Sequence, residues 1–405
     1  MKICSCEDHG NEAIGAPFSD PARPCICGNA DGQNDRAGSE TGAPCQRGAS
    51  VSMCNGFALD QRHGLNRAEW MRNLVLMTSL LLASARCLAS EATFDHGPVF
   101  TFIEENDLFV KTDRHYTQGI KLSYFHGDDV LPLGSRRLYE ALPQLGLTSK
   151  VGRLGYAVGQ NIYTPADITN RMSMPDDRPY AGWLYVGGIL QRRGWSFDER
   201  LTQDDLALEL GVIGPWALGG EAQTWVHQFR SFDLPRGWKY QIKNEPGIRV
   251  KMSRAVRLFE FEQDDFGFDF TPRVGTSLGN VETSFRAGGM VRVGYHLPDD
   301  FGYHTIDSLA TTSGGVSKSR RTGLSAYVFA GAEGRAVVYN ETLDGDLYHD
   351  SHSVQREWFV ADTLIGFAVG LDWLEIGYSH TFRSPEYRRQ GQHDSYGSVF
   401  FKARF

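Results

Sequence analysis

Three polar stretches of this chain hold the residue types that could do chemistry. One runs Glu104-Glu105-Asn106-Asp107-Leu108-Phe109 and returns through Asp113-Arg114-His115-Tyr116-Thr117-Gln118-Gly119. The second is Asp176-Asp177-Arg178-Pro179-Tyr180-Ala181-Gly182-Trp183, and the third spreads from Gly214-Pro215 through Gln223, His227 and Asp233 to Pro235-Arg236-Gly237-Trp238 and Asn244-Glu245-Pro246. An imidazole exchanges a proton near neutral pH with little tuning, and carboxylate and amide oxygens hold hard divalent cations. Taken singly, each residue also has an ordinary explanation. His227 is one of 12 histidines and sits in a loop-like stretch. Asn106-Asp107 before a turn fits side chains that bond nearby backbone, and Thr117 opens a strand as any β-branched residue would. Arg178-Pro179-Tyr180 could anchor a ring at headgroup level. Cys4-x-Cys6 and Cys25-x-Cys27, with His9 and His63, suggest zinc, but the spacing misses the usual C-x2-C pattern.

The elements that must position these stretches read as an exported all-β protein. All 7 cysteines lie at or before Cys87. From Met71 the chain shows a positive start, an apolar run from Leu74 to Ala83 and small residues around Ala89, the pattern of a secretory signal. The expected organisation is therefore a mis-assigned start or disordered extension over 1–70, a signal peptide over 71–89, and one β-domain over 90–405. No disulfide can staple a domain without cysteine, so closure of a sheet would have to hold it. A composition with 45 Gly, 12% aromatic and 22% charged residues, and no long apolar run, excludes a helical membrane protein. A formal net charge of -8 argues against nucleic acid as a partner.

About twelve segments of near-alternating polarity follow one another, near Val99–Leu108, Thr117–His126, Arg153–Ile162, Gly182–Arg193, Asp204–Ile213, Gly247–Val256, Phe266–Ser277, Glu282–Tyr295, Leu324–Val338, Thr363–Val369, Trp373–His380 and Ser395–Phe405. The last places Phe405, Ala403, Phe401 and Val399 on one face and Arg404, Lys402, Phe400 and Ser398 on the other, as a barrel wall requires when one side meets lipid and the other a lumen. The fold class expected is a closed antiparallel transmembrane β-barrel of about 12 strands. With both ends in the periplasm, Phe109–Tyr116, Tyr163–Ala181, Gly214–Pro246 and Asn340–Ala361 face the exterior. His126–Val151 and the Thr312 to Arg321 region face the periplasm. All three polar stretches then fall on the exterior side.

The strings Glu105-Asn106-Asp107-Leu108-Phe109, Thr112-Asp113-Arg114 with Tyr116-Thr117-Gln118-Gly119, Gln160-Asn161-Ile162-Tyr163-Thr164-Pro165, Asp177-Arg178-Pro179-Tyr180-Ala181-Gly182-Trp183, Val226-His227, Pro235-Arg236-Gly237-Trp238 and Thr381-Phe382-Arg383-Ser384-Pro385-Glu386 resemble, in order and spacing, the outer-membrane lipid A 3′-O-deacylase family. The resemblance implies a twelve-stranded barrel, calcium dependence, and hydrolysis of the ester that joins an acyloxyacyl group to lipid A in the outer leaflet. By that resemblance His227 is the base, Asn106 and Asp107 form the cation and oxyanion site, Thr117 supplies an assisting hydroxyl, and Asp233 orients the imidazole. Arg178 and Tyr180 are expected to contact phosphate or sugar. Lys239 stands where the family often has an acidic residue. No Gly-x-Ser-x-Gly elbow occurs, so water is the expected nucleophile. The implied substrate is lipopolysaccharide, with no protein partner required. Two other readings use the same barrel: an outer-membrane phospholipase, and a passive pore or adhesin.

Overall fold

The computed structural model describes residues 97–110, 114–132, 134–143, 146–308, 323–371 and 373–405. The extension over 1–70, the signal over 71–89, Thr112 and Asp113 of the first hairpin, and the Thr312 to Arg321 region lie outside the described residues. The alternating segments become strands β1 (Val99–Asn106), β2 (His115–Phe125), β3 (Thr148–Thr164), β4 (Ala181–Trp195), β5 (Leu201–Ile213), β6 (Glu245–Val256) and β7 (Phe259–Gln263). They continue as β8 (Phe266–Gly279), β9 (Glu282–Tyr295), β10 (Ser325–Asn340), β11 (Phe359–Gly370), β12 (Leu374–Arg383) and β13 (Asp394–Arg404).

Pairing is antiparallel throughout. β1 pairs with both β2 and β13, and β6 pairs with β8, which leaves the sheet without a free edge. β6 and β7 are two parts of one stave, because Ala255 lies opposite Arg273 and Phe259 opposite Phe270, a slip of one residue in register. Counting that broken stave once, the 13-stranded sheet is a closed barrel of twelve staves. Each segment anticipated from the alternation is found, with β3 extended backwards to Thr148. Closure satisfies the backbone of every stave inside the sheet, which a wall facing hydrocarbon requires.

Side-chain phase follows the period of two. On β13, Ser398, Phe400 and Lys402 are buried inside while Phe401 and Phe405 are exposed outside, as the sequence pattern demands. Outward positions elsewhere carry Tyr156, Val158, Val186, Leu208, Val274 and Phe367, all exposed. Apolar residues face out and charges face in, the reverse of a water-soluble domain.

The lumen is filled. After β9 the chain turns inward, and Asp300, Phe301, Tyr303, Ile306 and Asp307 are all buried. Asp307 meets Arg335 at 2.8 Å, Arg249 at 3.2 Å, Arg286 at 3.8 Å and Arg383 at 3.9 Å. These arginines belong to β10, β6, β9 and β12, so only a segment crossing the lumen could reach them all. Asp300 pairs with Arg292 at 2.5 Å and Lys402 at 2.9 Å, the Ile306 N–H donates to Glu105 at 2.8 Å, and Tyr303 stacks on Phe400 with ring centroids 4.6 Å apart. Removing one member of such a network strands a buried charge and costs about 3–5 kcal/mol. A filled lumen disfavours a passive pore.

The two rims differ. Turns at Ser196–Arg200 and Asp264-Asp265 are short. The opposite rim, where β1, β3, β5 and β10 end, carries most of the long connections, among them α2 (Gly219–Arg230) between β5 and β6 and α3 (Glu341–Asp344) after β10. The helix α1 (Ser135–Ala141) lies in the β2–β3 connection on the other rim.

Candidate functional site

Side-chain phase locates the site. On β3, Arg153, Ala157 and Tyr163 point into the lumen, so Val158, Gln160, Ile162 and Thr164 point outward. Exposure falls from 42% at Val158 to 0% at Ile162 and Thr164, so something covers the outer face of the wall near the rim. That cover is α2, which packs on β3 and β4. Gln160 Nε2 donates to the Ala217 carbonyl at 2.6 Å. A Cβ on Gly182 would lie 3.0 Å from Ala217 Cβ and 3.4 Å from Gly219 N, so glycine at 182 is what lets the helix approach the strand.

Beside this covered patch the rim ends of β1 and β2 are polar and buried as well. Asn106 is in phase with Phe100 and Phe102 on β1, lies opposite Gln118 of β2, and is 1% exposed. A bulge between Tyr116 and Gln118 inserts Thr117 as an extra residue. Its hydroxyl lies 2.7 Å from that of Thr164 on β3. Asp107 opens the one-turn 3-10 segment after β1, is 1% exposed, and accepts from the Arg114 N–H at 2.5 Å.

His227 sits on the inner face of α2, two turns beyond Gly219 and one beyond Gln223, and all three are buried. Its Nδ1 lies 2.6 Å from the backbone oxygen of Asp233. A proton held on Nδ1 by that carbonyl leaves Nε2 as the basic nitrogen of the ring. The sequence reading gave Asp233 the task of orienting the ring; the contact seen is with its backbone carbonyl, and its side chain is exposed. Trp238 Nε1 donates to Gln223 at 2.8 Å, and the ring of Trp238 lies 5.0 Å from that of Tyr180. Tyr180 in turn donates to the Ile168 carbonyl at 3.2 Å.

Asn106, Asp107 and Thr117 are thus brought together across the β1–β2–β3 rim, and α2 holds His227 against the outer face of β3 and β4. Arg178 goes elsewhere. It is fully buried, bonds Glu386 at 3.0 Å and Thr342 at 2.9 Å, and lies 4.6 Å over the ring of Tyr163, whose side chain points into the lumen. The sequence reading put this guanidinium on phosphate or sugar; its bonds instead tie the β3–β4 loop to the loops after β10 and β12.

Two further clusters were not anticipated. His115, with φ at 64°, lies 2.7 Å from Asp394 through Nδ1 and 2.9 Å from the Tyr387 hydroxyl through Nε2. Tyr387 also donates to Asp177. Burial opposes ionisation of Asp177, yet hydrogen bonds from His115, Tyr387 and the Ala166 N–H outweigh it and hold the carboxyl down at about 2. Both nitrogens of His115 are engaged, so this imidazole braces three loops. At α3, burial together with the charges of Glu245 and Asp346 pushes the Glu341 carboxyl up to about 9. Gln118, Gln160 and Thr164 were also missed at the site itself. Their signal was present in the sequence as polar residues at positions whose phase assigns them to lipid.

Comparison with known proteins agrees with this architecture. The sequence profile of the family described as outer membrane protein LpxR matches residues 74–405. Among solved structures, LpxR from Salmonella typhimurium superposes with a TM-score of 0.60 at 23% identity, covering 76% of this chain and 100% of that one. The β-domain of the Bordetella autotransporter BrkA aligns with a TM-score of 0.37 at 10% identity, over 76% of this chain and 99% of its own. No curated protein matches the sequence. A twelve-stave barrel with charges turned inward, a polar patch under a helix on its outer wall, and a profile match across the whole barrel place this chain in the LpxR family of outer membrane proteins.

Proposed function

We propose that this protein is an outer-membrane hydrolase that cleaves the ester linking an acyloxyacyl group to the 3′ position of lipid A, with His227 as the base that activates water. Family membership supports a lipid A deacylase of the outer membrane. The single observation that supports the reading is a buried polar set, Asn106, Asp107, Thr117 and Thr164, at the rim of β1 to β3, with His227 buried on a helix that packs on the outer face of β3 and β4. A substrate whose ester lies at the membrane surface reaches such a site sideways from the leaflet. With the long-loop rim toward the exterior, that leaflet is the outer one.

In this reading Nε2 of His227 takes a proton from water as the water oxygen bonds the ester carbon. The same proton passes to the departing 3′ oxygen as the carbon–oxygen bond breaks. The Asp233 carbonyl keeps the ring in the orientation this needs. Thr117, steadied by Thr164, assists through its hydroxyl, while Tyr180 and Trp238 shape the wall near the saccharide. Asn106 and Asp107 offer hard oxygen donors that suit Ca2+. Among the described residues no three acidic or histidine side chains form a metal cluster, so its other ligands would be backbone carbonyls, waters and substrate oxygens. Bound there, the ion would polarise the ester carbonyl.

Mass spectrometry of lipid A from cells with and without the protein tests the reaction. Loss of the mass of one acyloxyacyl group in calcium, abolished by chelation, supports it. An unchanged lipid A spectrum alongside fatty acid release from phospholipid would replace it with the phospholipase reading.

A further inference from the structure

The helix α2 is amphipathic in the inverted sense. Its wall-facing side carries Gln223 and His227, both 1% exposed. The opposite side carries Trp225 and Phe229, at 68% and 79% exposure, and Leu218, 51% exposed, stands at the start of the helix. With Ala222, Trp225 and Phe229 recur at steps of three and four, which is one face of an α-helix. Trp225 and Phe229 stack in parallel with ring centroids 6.0 Å apart. A surface helix in water places its apolar strip inward. Large aromatics fully turned out, in a contiguous strip, mark a contact surface.

What covers this strip follows from what it adjoins. The helix rests on the outer face of β3 and β4, directly above Val158 and Val186, outward residues of the apolar belt that are 42% and 61% exposed. The strip therefore prolongs the lipid-facing belt toward the rim. Arg230, Arg236, Lys239 and Lys243 are exposed in the same connection, and cations beside an apolar face are the composition of a helix lying in an anionic interface. Tryptophan favours that depth.

We propose that α2 is embedded in the leaflet, its Leu218–Trp225–Phe229 strip covered by lipid acyl chains, so that the membrane itself presses His227 onto the barrel wall. The inference concerns where the helix lies and stands whether or not the protein is an esterase.

The test reads Trp225 emission from the full-length protein reconstituted in phosphatidylcholine vesicles, with Trp225→Phe providing the difference spectrum. The component assigned to Trp225 should be blue-shifted, should lose most of its intensity when the acyl chains carry bromine, and should resist aqueous iodide. A red-shifted component that iodide quenches and bromine does not would overturn the proposal. So would a component shielded from both quenchers that opens on dilution into detergent, since that is the behaviour of a contact between two copies of the chain. Phe229→Asp, checked for folding by its heat-modifiable gel mobility, should move Trp225 from bromine-sensitive to iodide-sensitive. If Trp225 keeps its bromine sensitivity beside an aspartate in that strip, the helix face does not set the depth and the proposal is wrong.

Discussion

The lumen and the outer rim that carries α2 both bury polar side chains, and they do so differently. In the lumen the buried groups include many charges set against opposite charges, as where four arginines surround Asp307. At the β1–β3 rim and on α2 the buried groups are an amide, hydroxyls, an imidazole and one carboxylate, with bonds such as Thr117 to Thr164 and His227 to the Asp233 carbonyl. A saturated ionic network serves a core that must stay closed, since each charge needs its partner to remain buried. A set with a single carboxylate has less charge to strand when it opens. The difference teaches that burial of polar residues does not by itself mark a site; the marker is burial at a position whose phase should face lipid.

Four substitutions can break or sharpen this contrast. His227→Ala should lower deacylation by about 10²–10⁴-fold while heat-modifiable mobility and the thermal unfolding midpoint stay unchanged; an equally active variant would remove His227 from the chemistry. Asp307→Asn should do the reverse. It leaves surrounding arginines short of a charge and should lower stability by about 3–5 kcal/mol, read from unfolding in detergent, with deacylation retained in molecules that stay folded. If Asp307→Asn removed activity without destabilising the barrel, the division between the two regions would fail.

Thr117→Val strands the Thr164 hydroxyl and should cost about 1–3 kcal/mol locally, seen as reduced turnover with little change in the global unfolding midpoint. The smallest effect is a pH dependence at α3. Glu341 has an ordinary value of 4.5 and is pushed up to about 9 in the fold, so between those values the folded protein holds a proton that the unfolded chain releases. Its contribution to stability is complete below 4.5 and is lost as pH rises toward about 9. Glu341→Gln, which stays neutral, should gain stability relative to the parent as pH rises through that window. Parallel melting curves at every pH would refute the burial argument.

Much of this was legible in the sequence for a definite reason. Strand alternation is local, so twelve staves, the lipid face of β13 and the grouping of polar stretches on one rim could be read from period alone. The family strings singled out Asn106, Asp107, Thr117 and His227 as candidates. Arg178 illustrates the limit. Its neighbours in sequence sit at the rim, yet its partners Glu386 and Thr342 are separated from it by more than half the barrel's circuit of chain, and nothing local indicated them. Asp233 illustrates another, because a sequence names a residue and cannot say whether its carboxylate or its carbonyl will meet the imidazole.

By itself the sequence determined the barrel and the facing of each strand residue, because both follow from near-neighbour geometry repeated along the chain. Only the tertiary structure decided that the segment after β9 enters the lumen and that α2 lies on the outside of β3 and β4. Those outcomes depend on contacts between distant stretches, a close approach at Gly182 and a ring of arginines converging on Asp307, which no local pattern encodes. The polar phase breaks at Gln118, Gln160 and Thr164 acquire meaning only when a helix from another loop covers them.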